Sequence, residues 1–362
     1  PGTHFEAVAP GTYPRGFAST APTSEAPVRP HYFTGVDVPL SQEFPSALVD
    51  DPSTDEFGVP LGAEQRRLLL LSRSIQMTLG TPVLRGATLE VPLEFLNRTA
   101  HRVPAGFSQE RELWVQLSVE DSRGRTIYEV GRVDEAGEDL ADKRFLSVNT
   151  DDALKDDRGR PLGLFGADVA DGADVGRWDP PPDEGGTSFV GRGLINFQNG
   201  FLRCVVCIGR IDAQGRCQPV PGQEGARADR YSDGEYDADS GECRSNLSGP
   251  NALFETYFPV GALDATRGVV KGPDAIIDTR SLPPGETIRY RYTLPAAGVA
   301  PYRVTARLLF RAFPPFLLRA FIEYEQRQFV RGKRPSGPLI TERALERIGM
   351  VEIERAVASG GN

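Results

Sequence analysis

Four stretches of this sequence alternate apolar and polar residues at every second position, and this period constrains the fold more than any other feature. They span residues 87–96, 113–119, 287–294 and 302–310. Such alternation is typical of strands with one face in a core, and the many Gly and Pro residues (39 and 30 of 362) favour short elements and turns. We therefore predict a mainly β fold, an antiparallel immunoglobulin-like sandwich that contains all four strands. The residues predicted to be buried are Val91, Leu93, Val115, Leu117, Val304 and Leu308.

The predicted sandwich is interrupted along the chain. Residues 1–62 are rich in Pro and Gly and predict an extended arm, which we expect to lie against another chain or another part of the assembly. We expect residues 63–149 to form the first part of the sandwich, 150–250 to be a long insertion stapled by disulfides, and 251–362 to form the rest of the sandwich and a C-terminal tail. Within these parts, 68–79 are strand-like, 121–125 predict a hairpin turn and 316–324 a short helix.

All four cysteines lie in the insertion, namely Cys204, Cys207, Cys217 and Cys243. The pair Cys204–Cys207 has the spacing of a covalent haem c site, but Ile208 stands where such a site needs His, so that hypothesis is excluded. A zinc site stays open, although the spacing is irregular. We expect two disulfides and an oxidising compartment, with Cys204–Cys207 and Cys217–Cys243 favoured and the two crossed pairings left open.

The insertion also carries acidic side chains at every second position. Asp233, Glu235, Asp237 and Asp239 could supply oxygen ligands to Ca²⁺, although Arg244 stands where an EF-hand has its twelfth-position Glu. The alternative is an ordinary solvated acidic loop beside a disulfide. Calcium is therefore a candidate ligand of this segment.

The chain has three histidines and no pattern that indicates catalysis. No nucleophile-elbow sequence accompanies His4, His31 or His101, and we expect a protein that is not an enzyme. His101 lies in a loop shaped by Pro104 and Gly106, where we expect a structural, hydrogen-bonded role. His31 and His4 lie in the arm, from which a neutral imidazole could reach iron in a neighbouring chain.

Charge and hydropathy exclude two further classes of protein. The net charge of −9 does not suit a nucleic-acid-binding face, and no apolar run has the length of a transmembrane helix. The first 24 residues lack the apolar core of a signal peptide, so we expect either a removed signal or the trailing part of a longer chain.

Several separated blocks resemble a known family. Asn97–Phe107, with the pattern Asn-x-Thr-Ala-His-x-x-Pro-Ala-Gly-Phe, is followed by Arg-Glu-Leu-Trp at 111–114, Asp-Ser-Arg-Gly-Arg at 121–125 and Glu-Val-Gly at 129–131. With the Leu-Pro-Pro-Gly turn at 282–285, the strands at 290–294 and 304–310 and Phe-Pro-Pro-Phe at 313–316, they resemble the haem-free C-terminal sandwich of large bacterial multihaem cytochromes c. Residues 31–37, His-x-Phe-x-Gly-Val-Asp, are similar to the segment that joins haem region and sandwich.

The resemblance covers about half of the chain and implies a periplasmic or extracellular protein involved in electron transfer. This chain has no Cys-x-x-Cys-His site, so no haem is expected to be covalently bound and haem c would be held by a partner chain, a multihaem cytochrome c or the same assembly. The implied role is a non-catalytic docking module, with His31 the preferred ligand if iron lies near the arm. The alternative is a calcium-stabilised cell-surface adhesion or carbohydrate-binding module.

Overall fold

The computed structural model describes residues 35–37, 63–106, 108–133, 140, 169–175, 193–213, 215, 217–218, 231–247, 252–256 and 274–361. The helices within these residues are α1 (Ala63–Ser74), α2 (Pro315–Val330) and α3 (Arg343–Arg347). The strands are β1 (Ile75–Leu79), β2 (Val83–Arg85), β3 (Thr88–Asn97), β4 (Glu112–Glu120), β5 (Thr126–Val130), β6 (Ala173–Asp174), β7 (Gly200–Cys207), β8 (Arg210–Ile211), β9 (Cys217–Gln218), β10 (Tyr231–Asp233), β11 (Glu235–Asp237), β12 (Glu242–Arg244), β13 (Leu253–Thr256), β14 (Ala275–Ile277), β15 (Thr287–Pro295), β16 (Tyr302–Arg311) and β17 (Val351–Gly360).

Two sheets form the sandwich. The first has the strand order β1-β3-β15-β6, with β2 also paired to β3, and the second has the order β17-β16-β4-β5. All of these pairs are antiparallel except β6 with β15. Inward-facing residues of both sheets share one hydrophobic core. The predicted mainly β sandwich is therefore confirmed.

The alternation of the sequence sets which face of each strand is buried. All six residues predicted to be buried have at most traces of exposed surface, and burying an aliphatic side chain of this size contributes about 1.5–3 kcal/mol. The predicted hairpin is confirmed between β4 and β5, where the buried Asp121 carboxylate accepts hydrogen bonds from the backbone N–H groups of Arg123 and Arg125 at 3.0 Å each. The predicted short helix is also confirmed as α2, which is longer than expected and begins at Pro315.

The sandwich has two distinct ends, which we call the loop end and the turn end. The loop end comprises residues 97–106, 108–111 and 281–286, and an antiparallel bridge joins Val103 to Leu282. The turn end comprises residues 121–125 and 295–300. The nine residues of β4 run from the loop end to the turn end, so the two ends are about 30 Å apart.

The prediction of a strand from residue 68 is wrong for its first half. Residues Ala63–Ser74 are helical, and the strand begins at Ile75. The buried positions Arg67, Leu71 and Ser74 are spaced four and three residues apart, the period of a helix. The four consecutive leucines at 68–71 obscure this period in the sequence, because a short apolar run is consistent with either a buried strand or a buried helix.

The insertion is built around β7. This strand pairs with β10, β13 and β14, and short hairpins β8–β9 and β11–β12 lie beyond it. Two other segments of the region 150–250 join the sandwich itself, because β6 pairs with β15 and Asn196 forms a bridge with Trp114. The predicted domain boundaries stay predictions.

The four cysteines form two disulfides, but the favoured pairing is wrong. The bonds are Cys204–Cys243 and Cys207–Cys217, with Cα–Cα distances of 5.5 and 5.6 Å. Cys204 and Cys207 are both in β7, where residues three apart lie about 10 Å from each other and point to opposite faces. A disulfide requires Cα atoms within about 7 Å, so the strand itself excludes a bond between them.

An acidic group of the second sheet makes stability depend on pH. Hydrogen bonds from Arg355, and then from Arg307, lower the pKa of Glu352 from 4.5 to about 2. Because the folded pKa is depressed, this stabilisation is complete above pH 4.5 and is lost as the pH falls towards about 2. Solvent reaches these side chains, so its size is on the order of 1 kcal/mol.

We therefore expect Glu352→Gln to flatten the dependence of unfolding free energy on pH between 4.5 and about 2, measured by urea denaturation. Glu129→Gln is the matched control, because Glu129 is exposed on β5 and makes no ion pair with a described residue. Equal acid sensitivity of the wild type and the Glu352 variant would contradict the assignment.

Candidate functional site

The loop end is held by a fully buried amide side chain at the end of β3. The Asn97 Nδ2 group donates to the carbonyl oxygens of His101 (2.7 Å) and Leu282 (2.9 Å). Its Oδ1 atom accepts from the backbone N–H and the hydroxyl of Thr99, at 2.9 and 2.8 Å. This uses every donor and acceptor site of an amide. Asn97 thus fixes the loop that follows it against the neighbouring turn.

A second set of buried polar groups attaches the insertion to the same end. The Asn199 side chain donates to the Ser108 hydroxyl at 2.9 Å and accepts from the Arg280 backbone N–H at 3.1 Å. Gln198 donates to the Gln109 carbonyl oxygen at 2.7 Å. Because buried hydrogen bonds are directional and expensive to leave unmade, they fix how the chain enters β7.

The segment 35–37, which belongs to the arm predicted from sequence, also lies against the loop end. The buried Arg67 donates from Nε to the Val36 carbonyl oxygen at 2.7 Å, and Val36 packs on the main core. Arg111 donates to both oxygens of Asp37, from Nε at 3.1 Å and Nη2 at 2.6 Å. A two-point guanidinium–carboxylate contact fixes direction as well as position. We call Arg67 and Arg111 the arm anchor.

His101 does not have the hydrogen-bonded side chain expected of a structural histidine. Its backbone is held, since Asn97 and Thr99 donate to its carbonyl oxygen and its N–H donates to the Thr99 hydroxyl. Its imidazole is exposed and makes no hydrogen bond with the described residues. The interpretation of His101 as a side-chain structural element is therefore wrong, whereas the ordered loop is confirmed.

The four candidate calcium ligands are not brought together. Asp233 pairs with Arg203, and Glu235 lies 3.4 Å from Arg244. The backbone N–H groups of Ser240 and Asp239 donate to Asp237 and lower its pKa. Across the described ranges, no group of three or more His, Cys, Asp or Glu side chains is placed to hold a metal ion. Calcium binding, and the adhesion alternative that uses it, stay predictions without geometric support.

Two candidate ligands and most of the arm lie outside the described residues, namely His4, His31 and all of residues 1–62 except 35–37. The arm anchor could not be predicted from local sequence, because Arg67 and Val36 are 31 residues apart and Arg111 and Asp37 are 74 apart. The one sequence signal for the arm anchor was Asp37, the last residue of the block 31–37, which is similar to the segment that joins haem region and sandwich in the cytochromes.

Replacing Asn97 should release the loop. We expect Asn97→Ala to lower the free energy of unfolding by about 2–3 kcal/mol, because the carbonyl oxygens of His101 and Leu282 each lose one of two donors and the backbone N–H of Thr99 loses its acceptor. Hydrogen exchange of residues 99–103 should rise with it. The control is Gln76→Ala, which removes an exposed amide from the adjacent strand. A change no larger than that of the control would contradict the role of Asn97.

No protein-family model matches this chain, and no curated protein matches it. Among solved structures it is similar to a penta-heme cytochrome c552 from Thermochromatium tepidum, with 15% identity over 84% of this chain and 44% of that one. The chain thus spans less than half of that protein, and the TM-score of 0.33 is too low for the likeness to bear on fold or function. In the part of the chain that is described, no helix is long and apolar enough to cross a membrane.

Proposed function

We propose that this chain is a non-catalytic docking module for electron transfer, which associates with a multihaem cytochrome c or is the haem-free end of one. The proposal rests on one observation, namely that residues of the cytochrome-like sequence blocks hold the sandwich and its loop end together. Asn97 fixes the loop end, and Trp114 lies in β4, where its Nε1 donates to the Gly131 carbonyl oxygen at 2.9 Å. Gly131 has a φ of +76°, and a Cβ there would collide with the Val115 carbonyl oxygen.

The positions of these residues support a rigid scaffold. Among the described residues the four cysteines are in disulfides and the His101 imidazole has no hydrogen-bonded partner, so neither supplies a nucleophile–base pair. A rigid sandwich with fixed loops is suited to docking, because a preorganised surface loses little entropy on binding. The two disulfides support an oxidising location, the periplasm or the cell exterior.

The arm anchor supports the same role. It holds residues 35–37, the end of the block similar to the joining segment, on the loop end through Arg67 and Arg111. A haem-bearing unit reached through this segment would be held next to the loop end.

The test is native purification of a tagged chain, with covalent haem followed by absorption and by haem staining of denatured chains. We expect haem on a co-purifying polypeptide or on a longer form of the same one. Where the haem is on a co-purifying polypeptide, Asp37→Arg should lower the haem recovered per chain, and Asp37→Arg/Arg111→Asp should restore part of it. Glu90→Arg is the control, since it reverses a charge in an exposed ion pair with Arg85.

Haem-free wild-type protein, purified intact from its own source, would contradict the proposal. Where the haem is on a co-purifying polypeptide, equal haem content in the wild type and Asp37→Arg would instead contradict the part assigned to the arm anchor.

A further inference from the structure

The loop from Arg98 to Gly106 presents a histidine to solvent on a fixed backbone. Three hydrogen bonds to the His101 backbone, given above, leave its main chain little freedom. The bridge between Val103 and Leu282 holds the other side of the loop. A histidine with a packing role uses its ring, whereas this ring is exposed and forms no hydrogen bond with the described residues. The loop therefore fixes the position of an imidazole that the fold itself does not use.

Two exposed arginines, Arg98 and Arg102, flank His101 in the sequence of the loop. The Arg98 backbone N–H donates to the Ser74 carbonyl oxygen at 2.9 Å, which fixes the start of the loop. Arg102 donates to the Ser281 carbonyl oxygen at 3.3 Å. Neither forms an ion pair with an acidic residue in the described ranges, although the whole chain carries a net charge of −9. Both guanidinium groups are available to a carboxylate.

The arm anchor meets this loop directly. Arg111 donates to the carbonyl oxygen of Ala105 as well as to Asp37, and its side chain packs over Gly106. The segment 35–37 is thus attached to the same loop that carries His101. The place where the arm meets the sandwich and the exposed imidazole therefore belong to one end of the molecule.

We propose that His101, Arg98 and Arg102 form a contact site for a haem group carried by the partner. The imidazole nitrogen is the donor to an open axial position of the iron, and the guanidinium groups pair with the two haem propionates. Neutral imidazole is a common axial ligand of haem iron, and guanidinium is well suited to carboxylates. The site rests on the proposed function, because the partner that it recognises is a haem protein.

The experiment uses the full chain and a ferric haem c peptide with one open axial position. Coordination of an imidazole changes the absorption spectrum of the peptide, so binding is read at the iron itself. The chain has only three histidines. We expect His101→Ala to weaken the spectral change about tenfold or more, whereas His4→Ala and His31→Ala leave it unchanged. His101→Gln keeps a polar side chain without an imidazole and should behave like His101→Ala.

The propionate contacts are tested separately. Arg98→Gln/Arg102→Gln should weaken binding about two- to fivefold, with less effect at high salt. The matched control is Arg123→Gln, an exposed arginine in the turn between β4 and β5, which should have no effect.

A spectral change that depends on His31 or His4 would overturn this site and assign the ligand to the arm. No spectral change with the wild-type chain would overturn it too. Neither outcome contradicts the proposed function. That function is tested by the haem content of the natively purified protein, which does not depend on an axial ligand from this chain.

Discussion

Arg311→Met should lower the free energy of unfolding by about 3–5 kcal/mol, the largest effect that we expect from a single substitution. Arg311 ends β16 and pairs with Glu112 at the start of β4, with Nε 2.7 Å from Oε2. Side-chain exposure is 2% for Arg311 and 0% for Glu112. The guanidinium carbon also lies 5.5 Å from the centre of the Trp114 ring, which adds a cation–π contact.

The size of the effect comes from the charge that is left behind. Removal of Arg311 leaves the Glu112 carboxylate buried without the positive charge of the guanidinium, whereas removal of both residues leaves no buried charge at this pair. We therefore expect Glu112→Leu/Arg311→Met to recover much of the loss, as measured by urea denaturation at neutral pH. Arg85→Met breaks an exposed pair with Glu90 and should change stability by less than about 1 kcal/mol. Equal effects of Arg311→Met and Arg85→Met would contradict this account.

Removal of the Cys204–Cys243 disulfide should be the second large effect. The two residues are 39 apart in sequence, and on the chain-entropy model such a bond contributes about 4 kcal/mol. Cys204→Ala/Cys243→Ala should therefore loosen the insertion around β7, seen as faster hydrogen exchange at residues 200–207 and 231–247. Cys207→Ala/Cys217→Ala removes a bond of sequence separation 10 and should cost about 3 kcal/mol.

The pairing itself is checked by mass mapping of unreduced peptides. A protease that cleaves between Val205 and Val206 separates Cys204 from Cys207 and so distinguishes the alternatives. We expect linked peptides that contain Cys204 with Cys243 and Cys207 with Cys217. A Cys204–Cys207 bond would require β7 to be broken and would contradict the architecture of the insertion.

The strands of the sandwich could be predicted from the sequence, because a strand that is buried on one face has an apolar residue at every second position. Val91 and Val304 illustrate this, since each lies in an alternating run and each is buried. The pattern fails where both faces are covered. At the start of β4, residues 112–115 are all buried, which breaks the alternation. The burial of Glu112 could therefore not be predicted, because a charged residue is normally expected to be exposed.

Contacts between distant parts of the chain could not be predicted in this way. The pairing of cysteines and the arm anchor both depend on which elements lie side by side, and local residue patterns carry no such information. A strand assignment for residues 200–207, which are rich in apolar and β-branched residues, would nevertheless have excluded the Cys204–Cys207 bond. His101 was misjudged because its sequence context indicates an ordered loop, but not the direction of the side chain.

The central claim is that the loop end faces a haem-bearing partner, and site-specific photo-crosslinking in the producing cells tests it most directly. A photoreactive residue replaces the exposed Ala105 at the loop end or the exposed Arg123 at the turn end. We predict a crosslinked product that stains for covalent haem from position 105 and none from position 123. Haem-stained product from position 123 alone, or from neither position, would contradict it.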